Sequence, residues 1–391
     1  MSESTMIRWD QDEDGIVVLT LDEPGAKVNT MNAAYRAAMG ATVDRLEAER
    51  DGIAGVVVAS GKSSFFAGGN LNELIAVTTD GLDEFAEVMR TLRAQLRRLE
   101  TLGKPVVAAI NGVALGGGLE ICLACHHRIV VDDPKAQLGC PEVTFGLLPG
   151  AGGVTRSVRL LGVVPALQHV LLRGQRHQPA AAKELGLVDE IVATREELIP
   201  AAKQWIKAKG GRDPVQQPWD GPGYAMPGGR PDDAALAGHV LALPPTLRKQ
   251  LKGANYPAPH HIMAAAVEGA QVDFDTAIEI ESRYFLDLIT GQVAKNMIQG
   301  HFFDMQRVSG DRGRAADAER FASRKLVVLG AGMMGAAITY VCAKAGIEVV
   351  LKDVSQEAAD RGKGYSEKLV GKGVERGRTT QEKGDALLAR I

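Results

Sequence analysis

Short runs of β-branched residues alternate with segments of helical periodicity through the first part of the chain. Residues 16–21 (Ile-Val-Val-Leu-Thr-Leu) and 54–59 (Ala-Gly-Val-Val-Val-Ala) predict strands, and residues 31–50 between them predict a helix. The alternation continues with a helix at 82–102 and strands at 105–110 and 128–131. Parallel strands need crossover connections that are usually helical, so this order predicts an α/β fold with a parallel sheet.

Length and composition exclude several classes of protein. A chain of 391 residues exceeds what one hydrophobic core usually serves, so more than one domain is expected. The 45 Lys and Arg residues against 48 Asp and Glu give a net charge of −3 without a long basic run, so nucleic acid is not an expected partner. No apolar stretch is long enough for a membrane span. Four cysteines without a recognisable signal peptide indicate a cytoplasmic protein.

The later part of the chain predicts a change of architecture. Residues 152–209 are mostly helical and predict a cap on the sheet, whereas Pro and Gly are so frequent over 210–260 that we predict an ordered surface loop there. A helical stretch follows to residue 308, and residues 309–322 form a polar break. We therefore predict three parts: a first domain over 1–260, a helical linker over 261–322 and an incomplete nucleotide-binding domain over 323–391.

Three glycine-rich segments of the first domain are candidates for a catalytic site. Ala-Gly-Gly-Asn-Leu at 67–71 follows a strand, and its backbone N–H groups can point into a pocket, although a plain turn also needs small residues. Glycines 116–118 open a helix whose first turn carries Glu120, where free N–H groups favour negative charge. Glu142 follows Pro141 where a short helix can begin. An acidic residue at a helix start more often complements the helix dipole than it catalyses.

The order and spacing of these segments resemble the crotonase, or enoyl-CoA hydratase/isomerase, superfamily. The matching motifs are Ala-Gly-Gly-Asn-Leu at 67–71, Asn-Gly-Val-Ala-Leu-Gly-Gly-Gly-Leu-Glu at 111–120 and Pro-Glu-Val-Thr-Phe-Gly-Leu-Leu-Pro-Gly-Ala-Gly-Gly at 141–153. The resemblance implies a ββα spiral domain in which the N–H groups of Gly69 and Gly117 hold a thioester oxygen. It further implies that Glu120 and Glu142 share the reacting water, hydrating trans-2-enoyl-CoA to 3-hydroxyacyl-CoA without a cofactor. Asn70 stands where an aspartate is frequent, so residues that contact CoA are not assigned.

A second glycine motif lies near the end of the chain. Gly330, Gly332 and Gly335 form a Gly-x-Gly-x-x-Gly pattern between a predicted strand and a helix, and Asp353 ends the next strand. In this setting the pattern indicates a Rossmann β-α-β unit, with Asp353 accepting from a ribose hydroxyl of NAD. It resembles the start of a 3-hydroxyacyl-CoA dehydrogenase domain. We predict one further polar helix after Asp353 and expect no dehydrogenation by this chain, because the remaining strands of the nucleotide fold are missing.

The resemblance extends over the whole chain to the α subunits of bacterial fatty-acid-oxidation multienzymes, of actinobacterial type. It therefore implies a CoA thioester substrate, a thiolase partner and β-oxidation as the setting. Two alternatives to hydration stay open. One is the shift of a 3-double bond to position 2, which could use Glu142 alone. The other is a non-catalytic scaffold that docks thiolase.

Two weaker patterns predict structure and not chemistry. His301, in His-Phe-Phe-Asp, superficially matches a dehydrogenase motif but precedes the nucleotide motif, so we interpret it as a residue of the linker helix. Cys-Leu-Ala-Cys-His-His at 122–127 fits a haem-attachment pattern, which belongs to exported proteins, and we predict core packing for it. The sequence predicts no metal site.

Overall fold

The computed structural model describes residues 6–209, 215–309 and 321–391. The chain divides into two compact units, Met1–Asp311 and Arg312–Ile391, and each is described by itself. Most of the predicted polar break at 309–322 lies outside the described residues, and the domain limits at 260 and 322 stay predictions.

The first unit is built on a six-stranded sheet with the order β1-β2-β3-β4-β6-β8. All neighbouring strands are parallel except the edge pair β1 and β2, which is antiparallel and was not predicted. The strands of this unit are β1 (Ile7–Gln11), β2 (Ile16–Leu21), β3 (Gly55–Ser60), β4 (Val106–Ile110), β5 (Ala114–Leu115), β6 (His127–Val131), β7 (Leu138–Gly139) and β8 (Glu190–Val192). The predicted α/β class is confirmed.

Both faces of the sheet are buried, which explains why its strands are continuous apolar runs. Successive residues of a strand point to opposite faces, so Val56 and Val58 join the large core while Val57 joins a smaller core on the other side. A single helix covers that smaller core through residues such as Ile206. The β-branched runs therefore pack against helices on both faces of the sheet.

The helices of the first unit surround the sheet and continue past it. They are α1 (Ala33–Ala48), α2 (Leu71–Ala76), α3 (Leu82–Glu100), α4 (Gly117–Leu123), α5 (Gly153–Leu161), α6 (Val163–Pro165), α7 (Pro179–Leu185), α8 (Leu198–Lys209), α9 (Ala234–Gln250), α10 (Pro257–Gly269), α11 (Phe274–Thr290), α12 (Gln292–Ile298) and α13 (Met305–Ser309). A 3-10 helix at Pro141–Phe145 and a π-helical turn at Gln299–Asp304 contribute to the site, and a second π-helical turn lies at Ala166–Leu171.

The predicted surface loop over 210–260 is wrong for its second half, where α9 forms a helix of 17 residues. The prolines at 244 and 245 led to the loop prediction because proline breaks most helix interiors. They follow a run rich in Ala and Leu, which are strong helix formers, and both prolines lie inside α9. Residues 210–214 of the predicted loop lie outside the described residues.

The second unit starts as a Rossmann fold, as predicted. Strands β9 (Lys325–Leu329) and β10 (Glu348–Lys352) pair in parallel and are connected through α14 (Met333–Lys344). The prediction of one further helix is wrong, because α15 (Gln356–Glu375) and α16 (Gln381–Leu388) both follow. Gly377, with φ of +64°, ends the first of them, and Thr380 caps the second.

Candidate active site

A cavity of about 660 Å³ in the first unit collects the four site residues predicted from the sequence. Gly69, Gly117, Glu120 and Glu142 all line it, although they lie on three separate segments of the chain, with Gly117 and Glu120 together on α4. The short parallel pair β5 and β7 helps to bring these segments together, because β5 leads directly into the glycines that begin α4. The volume is in the range of small-molecule sites.

The two glycine loops are in direct contact with each other. Gly68 has φ of +104° and Gly116 has φ of +54°, conformations that favour glycine. A Cβ atom on Gly68 would lie 3.1 Å from the Leu115 carbonyl oxygen and 3.8 Å from the Gly117 nitrogen, so a side chain would separate the loops. Gly117 is the first residue of α4, and its N–H group therefore has no acceptor within that helix.

Glu120 is buried on the first turn of α4 and held by backbone amides. Its Oε1 accepts hydrogen bonds from the N–H groups of Ala151, at 2.7 Å, and Gly153, at 2.8 Å. Burial raises the pKa of Glu120 to about 7, helped by the nearby charge of Glu281 and opposed by the two amides. Its Oε2 accepts no hydrogen bond from the described residues, so this oxygen is available to a ligand.

Glu142 lies on the 3-10 helix and points at the first turn of α4. An ideal Cβ on Gly116 would overlap its Oε1, and its Oε2 is buried without a hydrogen-bond partner among the described residues. Burial and the charge of Glu120 raise the pKa of Glu142 well above its usual range. The two carboxyls therefore titrate as a pair, and one of them keeps a proton at neutral pH.

Apolar side chains form much of the remaining wall. Phe85, Met89 and Leu92 of α3 line it together with Phe285 of α11, and the rings of Phe85 and Phe285 are 6.2 Å apart. Arg176 also borders the cavity, as does an ion pair between Arg36 and Glu73. A cavity with apolar walls and a few charged groups at its border suits an acyl chain attached to a polar carrier.

The prediction for His301 understated its position. His301 is in the π-helical turn at Gln299–Asp304, so it is a residue of the helical segment, but it also lines the cavity. Its Nδ1 lies 3.1 Å from the carbonyl oxygen of Thr144, two residues from Glu142. Phe302 and Gln306 line the same side. These contacts join segments far apart in the chain and could not be read from the local pattern.

A buried ion pair supports the loop that holds Glu120. Arg156 donates from Nε and Nη2 to both oxygens of Glu100, at 3.1 Å and 2.9 Å, and from Nη1 to the Ala151 carbonyl, at 3.1 Å. Both side chains are almost completely buried. The amide and the carbonyl of Ala151 are therefore both fixed, the first by Glu120 and the second by Arg156.

Replacing Glu100 with glutamine is expected to lower the free energy of unfolding by about 3 kcal/mol, because Arg156 would keep a buried charge without its counterion. The midpoint of urea denaturation measures this. The matched control is Glu49→Gln, which removes the exposed ion pair with Arg45 and should cost less than about 1 kcal/mol. Equal losses for the two variants would contradict the buried pair.

The raised pKa of Glu120 is expected to make folding stability depend on pH. The folded protein binds this proton more tightly than the unfolded chain, whose carboxyl has the ordinary pKa of 4.5, so the contribution is complete below 4.5 and is lost as pH rises towards 7. Between pH 4.5 and 7 the free energy of unfolding of the wild type should fall by up to about 3 kcal/mol relative to that of Glu120→Gln. Urea denaturation of both proteins between pH 4.5 and 8 tests it, and a constant difference would contradict it.

The glycine motif of the second unit fits a dinucleotide. Gly330 has φ of +93°, and a Cβ on Gly335 would overlap the Gly330 carbonyl oxygen, so both positions favour glycine. No atom lies within 4 Å of an ideal Cβ on Gly332, which leaves room at the start of α14. Asp353 accepts from the N–H groups of Ala331 and Val354, which lower the pKa of its carboxyl. NAD binding at these four residues stays a prediction.

The cysteine segment at 122–127 lies outside the cavity. Cys122 and Cys125 are buried in the core around α4, as expected for packing residues. Within residues 6–209, 215–309 and 321–391, no three or more His, Cys, Asp or Glu side chains are grouped to hold a metal ion. None of the helices in the described part of the chain is long and apolar enough to cross a membrane.

The family model for enoyl-CoA hydratase/isomerase matches residues 11–211, which include both glycine loops and both carboxylates. The chain belongs to the enoyl-CoA hydratase/isomerase family. A second model, the NAD-binding domain of 3-hydroxyacyl-CoA dehydrogenase, matches residues 325–391. The recognition of a crotonase domain followed by the start of a dehydrogenase domain is thereby confirmed.

Curated relatives match nearly the whole chain. It is 36% identical over 385 residues to the fatty acid oxidation complex subunit alpha of Shewanella amazonensis, covering 96% of this chain and 52% of the relative. Identity to the same subunit of Shewanella loihica is 35% over 382 residues, with the same coverage. The chain thus spans about half the length of these relatives. The actinobacterial type stays a prediction.

Solved structures confirm the crotonase fold. Enoyl-CoA hydratase from Bacillus halodurans has a TM-score of 0.54 at 21% identity, covering 76% of this chain and 100% of that one. Human mitochondrial delta3-delta2-enoyl-CoA isomerase has a TM-score of 0.55 at 19% identity, covering 78% and 100%. A hydratase and an isomerase are equally similar in shape, so the reaction has to be argued from the site.

Proposed function

We propose that the first unit hydrates trans-2-enoyl-CoA to 3-hydroxyacyl-CoA, with water added to the same face at both carbons. The observation that carries this proposal is a pair of buried carboxyls, Glu120 and Glu142, which line one cavity and form no ion pair among the described residues. Two carboxyls with raised pKa values can divide the work of a base and an acid at neutral pH.

The geometry supports a division of roles. Glu142 has the stronger reason to keep its proton, because its Oε2 is buried without a partner, whereas two amides stabilise the charge of Glu120. We propose that Glu120 accepts a proton from water as the water oxygen attacks C3, and that Glu142 donates its proton to C2. The N–H groups of Gly69 and Gly117 would stabilise the enolate oxygen of the thioester between these steps.

The assay is the loss of the conjugated thioester absorbance when crotonyl-CoA is mixed with the purified chain. We expect rapid loss and formation of 3-hydroxybutyryl-CoA. No loss with correctly folded wild-type protein would refute the hydratase. Since the reaction consumes only water, addition of NAD should not change the rate.

A shift of the 3-double bond to position 2 is the second candidate. It is favoured by the Oε2 of Glu142, which has no protein partner and could move a proton between C2 and C4 alone. This proposal predicts that Glu120→Gln retains conversion of 3-enoyl-CoA to 2-enoyl-CoA while losing hydration. If the variant loses both reactions equally, the isomerase is not an independent activity of Glu142.

The relatives are described as subunits of a fatty acid oxidation complex, so we propose that the whole protein acts in β-oxidation with a thiolase partner. Copurification with a co-expressed thiolase tests this, and failure to associate would support a chain that works alone. Gly330, Gly332, Gly335 and Asp353 would hold NAD, which supplies hydride transfer in a complete dehydrogenase domain. We also propose a reducing compartment such as the cytoplasm, because all four cysteines are unpaired thiols.

A further inference from the structure

The start of α5 holds two carboxylates at once. The N–H groups of Ala151 and Gly153 donate to Glu120, at 2.7 Å and 2.8 Å. Gly152 N–H, which lies between them in the chain, donates to Oε1 of Glu281 at 2.7 Å. Thr155 donates to Oε2 of Glu281 from its N–H group, at 2.8 Å, and from Oγ1, at 2.9 Å. Three successive amides therefore donate alternately, the first and third to Glu120 and the second to Glu281.

Glu281 is a buried carboxylate, and its charge acts on a buried arginine as well as on Glu120. It lies on α11, only 1% of its surface is exposed, and it forms no ion pair among the described residues. Arg93 of α3 is also buried, and its Nε and Nη2 have no hydrogen-bond partner there. The charge of Glu281 acts on both Arg93 and Glu120. A buried carboxylate is costly, so its placement beside a catalytic candidate calls for a role.

Glu281 also lies outside the part of the chain matched by the hydratase/isomerase family model, which ends at residue 211. Its helix contributes Phe285, one turn later, to the cavity wall. Helix α11, which follows the family match, therefore contacts the loop that holds Glu120 and also lines the cavity. A helix that only covered the core would need no carboxylate at this position.

We propose that Glu281 is a positioning residue for Glu120, because it occupies the Gly152 and Thr155 donors, orients the Ala151 and Gly153 amides towards Glu120 and places a buried negative charge beside it. The proposal rests on the hydratase proposed above. Gly152 has φ of +99°, a conformation in which the peptide groups on either side can face different acceptors. Without Glu281, the Gly152 N–H would be left unpaired and the loop would lose this orientation.

The charged groups around Glu120 set the expected pH behaviour. Glu281 raises the pKa of Glu120, and Arg156 lowers it. The other ionisable groups on which the Glu120 charge acts are Tyr35, Arg93, Cys140 and Glu142. Glu281→Gln keeps a side-chain oxygen that can accept from the Gly152 N–H group, so the Ala151 and Gly153 amides stay near Glu120 while the charge is lost, and the pKa of Glu120 should fall. Glu120 must be ionised to act as the base. A lower pKa of Glu120 therefore moves the acidic limb of the pH profile of kcat/KM to lower pH.

The test compares three variants by steady-state hydration of crotonyl-CoA across pH. Glu281→Gln should move the acidic limb of kcat/KM down by about one pH unit and lower kcat about tenfold, with KM little changed. Glu281→Asp keeps the charge but shortens the side chain, so it should lower kcat without moving the limb. Glu279→Gln is the control, because it removes an exposed carboxylate from the same helix and should change neither.

If folded Glu281→Gln shows no shift in the acidic limb of kcat/KM, the proposal is overturned. If that variant does not fold, Glu281→Asp decides, and unchanged kcat there would overturn it. A readout independent of turnover separates this inference from the proposed function. The carboxyl carbon-13 resonance of Glu120, assigned by its absence in Glu120→Gln, should titrate at lower pH in Glu281→Gln than in wild type. This comparison holds even if wild type fails to hydrate crotonyl-CoA, and equal titration would overturn the proposal.

Discussion

Replacing Glu142 with glutamine is expected to lower kcat for crotonyl-CoA hydration by about a thousandfold, the middle of the range for removal of a general acid. Glutamine keeps the size of the side chain but cannot donate a proton to C2. The substrate should still bind, because the apolar wall and the glycine loops are untouched, so KM should change little. Stopped assays of 3-hydroxybutyryl-CoA formation measure the residual rate.

Glu120→Gln is expected to lose activity to a similar degree, and the double variant should be little worse than either single one, because the two carboxyls act together in one addition of water. Glu196→Gln is the control, since Glu196 is an exposed glutamate far along the chain from either site segment. More than a tenth of wild-type activity in Glu142→Gln would mean that Glu142 does not carry the acid step.

Replacing Gly116 with alanine is expected to lower kcat/KM by about a hundredfold, with a loss of stability of about 1–3 kcal/mol. The residue has φ of +54° and ψ of −125°, which a residue with a Cβ adopts only with strain. The added methyl would also overlap Oε1 of Glu142, so the carboxyl has to move out of position. Steady-state kinetics and thermal denaturation measure both effects.

Gly238→Ala is the matched control for the same chemical change. An ideal Cβ on Gly238 meets no atom within 4 Å, and the residue lies inside α9 without a positive φ. Alanine there should leave activity unchanged and stabilise the helix slightly. If Gly116→Ala retained full activity, Glu142 could not be fixed in the position that the structure gives it.

Local sequence patterns were sufficient for the glycine motifs and for strands β2, β3, β4 and β6, whereas the edge strand β1 was not predicted. β-branched runs such as residues 16–21 bury both faces of a parallel sheet, so their composition alone marks them as strands. Gly116 and Gly330 both have a positive φ. This conformation favours glycine and is a property of the local backbone. The assignment of Glu120 and Glu142 as partners depended on the family resemblance, because an acidic residue at a helix start has commoner explanations.

The contributions of α11 and of the π-helical turn could not be predicted in the same way. Glu281 and His301 contact residues 126 and 157 positions earlier in the chain, and periodicity says nothing about contacts at that range. One signal was present for Glu281, since it lies on the same apolar face as Phe285 and Leu288, where a carboxylate is out of place. For α9, helix propensity decided the conformation in spite of two prolines.

The central claim is that Glu120 and Glu142 add water to C3 of an enoyl-CoA bound between the two glycine loops. The most direct measurement is a single turnover of crotonyl-CoA in water enriched in oxygen-18, analysed by mass spectrometry. The wild-type chain should yield 3-hydroxybutyryl-CoA with the heavy oxygen at C3, and Glu142→Gln should yield almost none in the same time. Unreacted crotonyl-CoA with folded wild-type protein, or equal labelling by wild type and variant, would contradict the assignment.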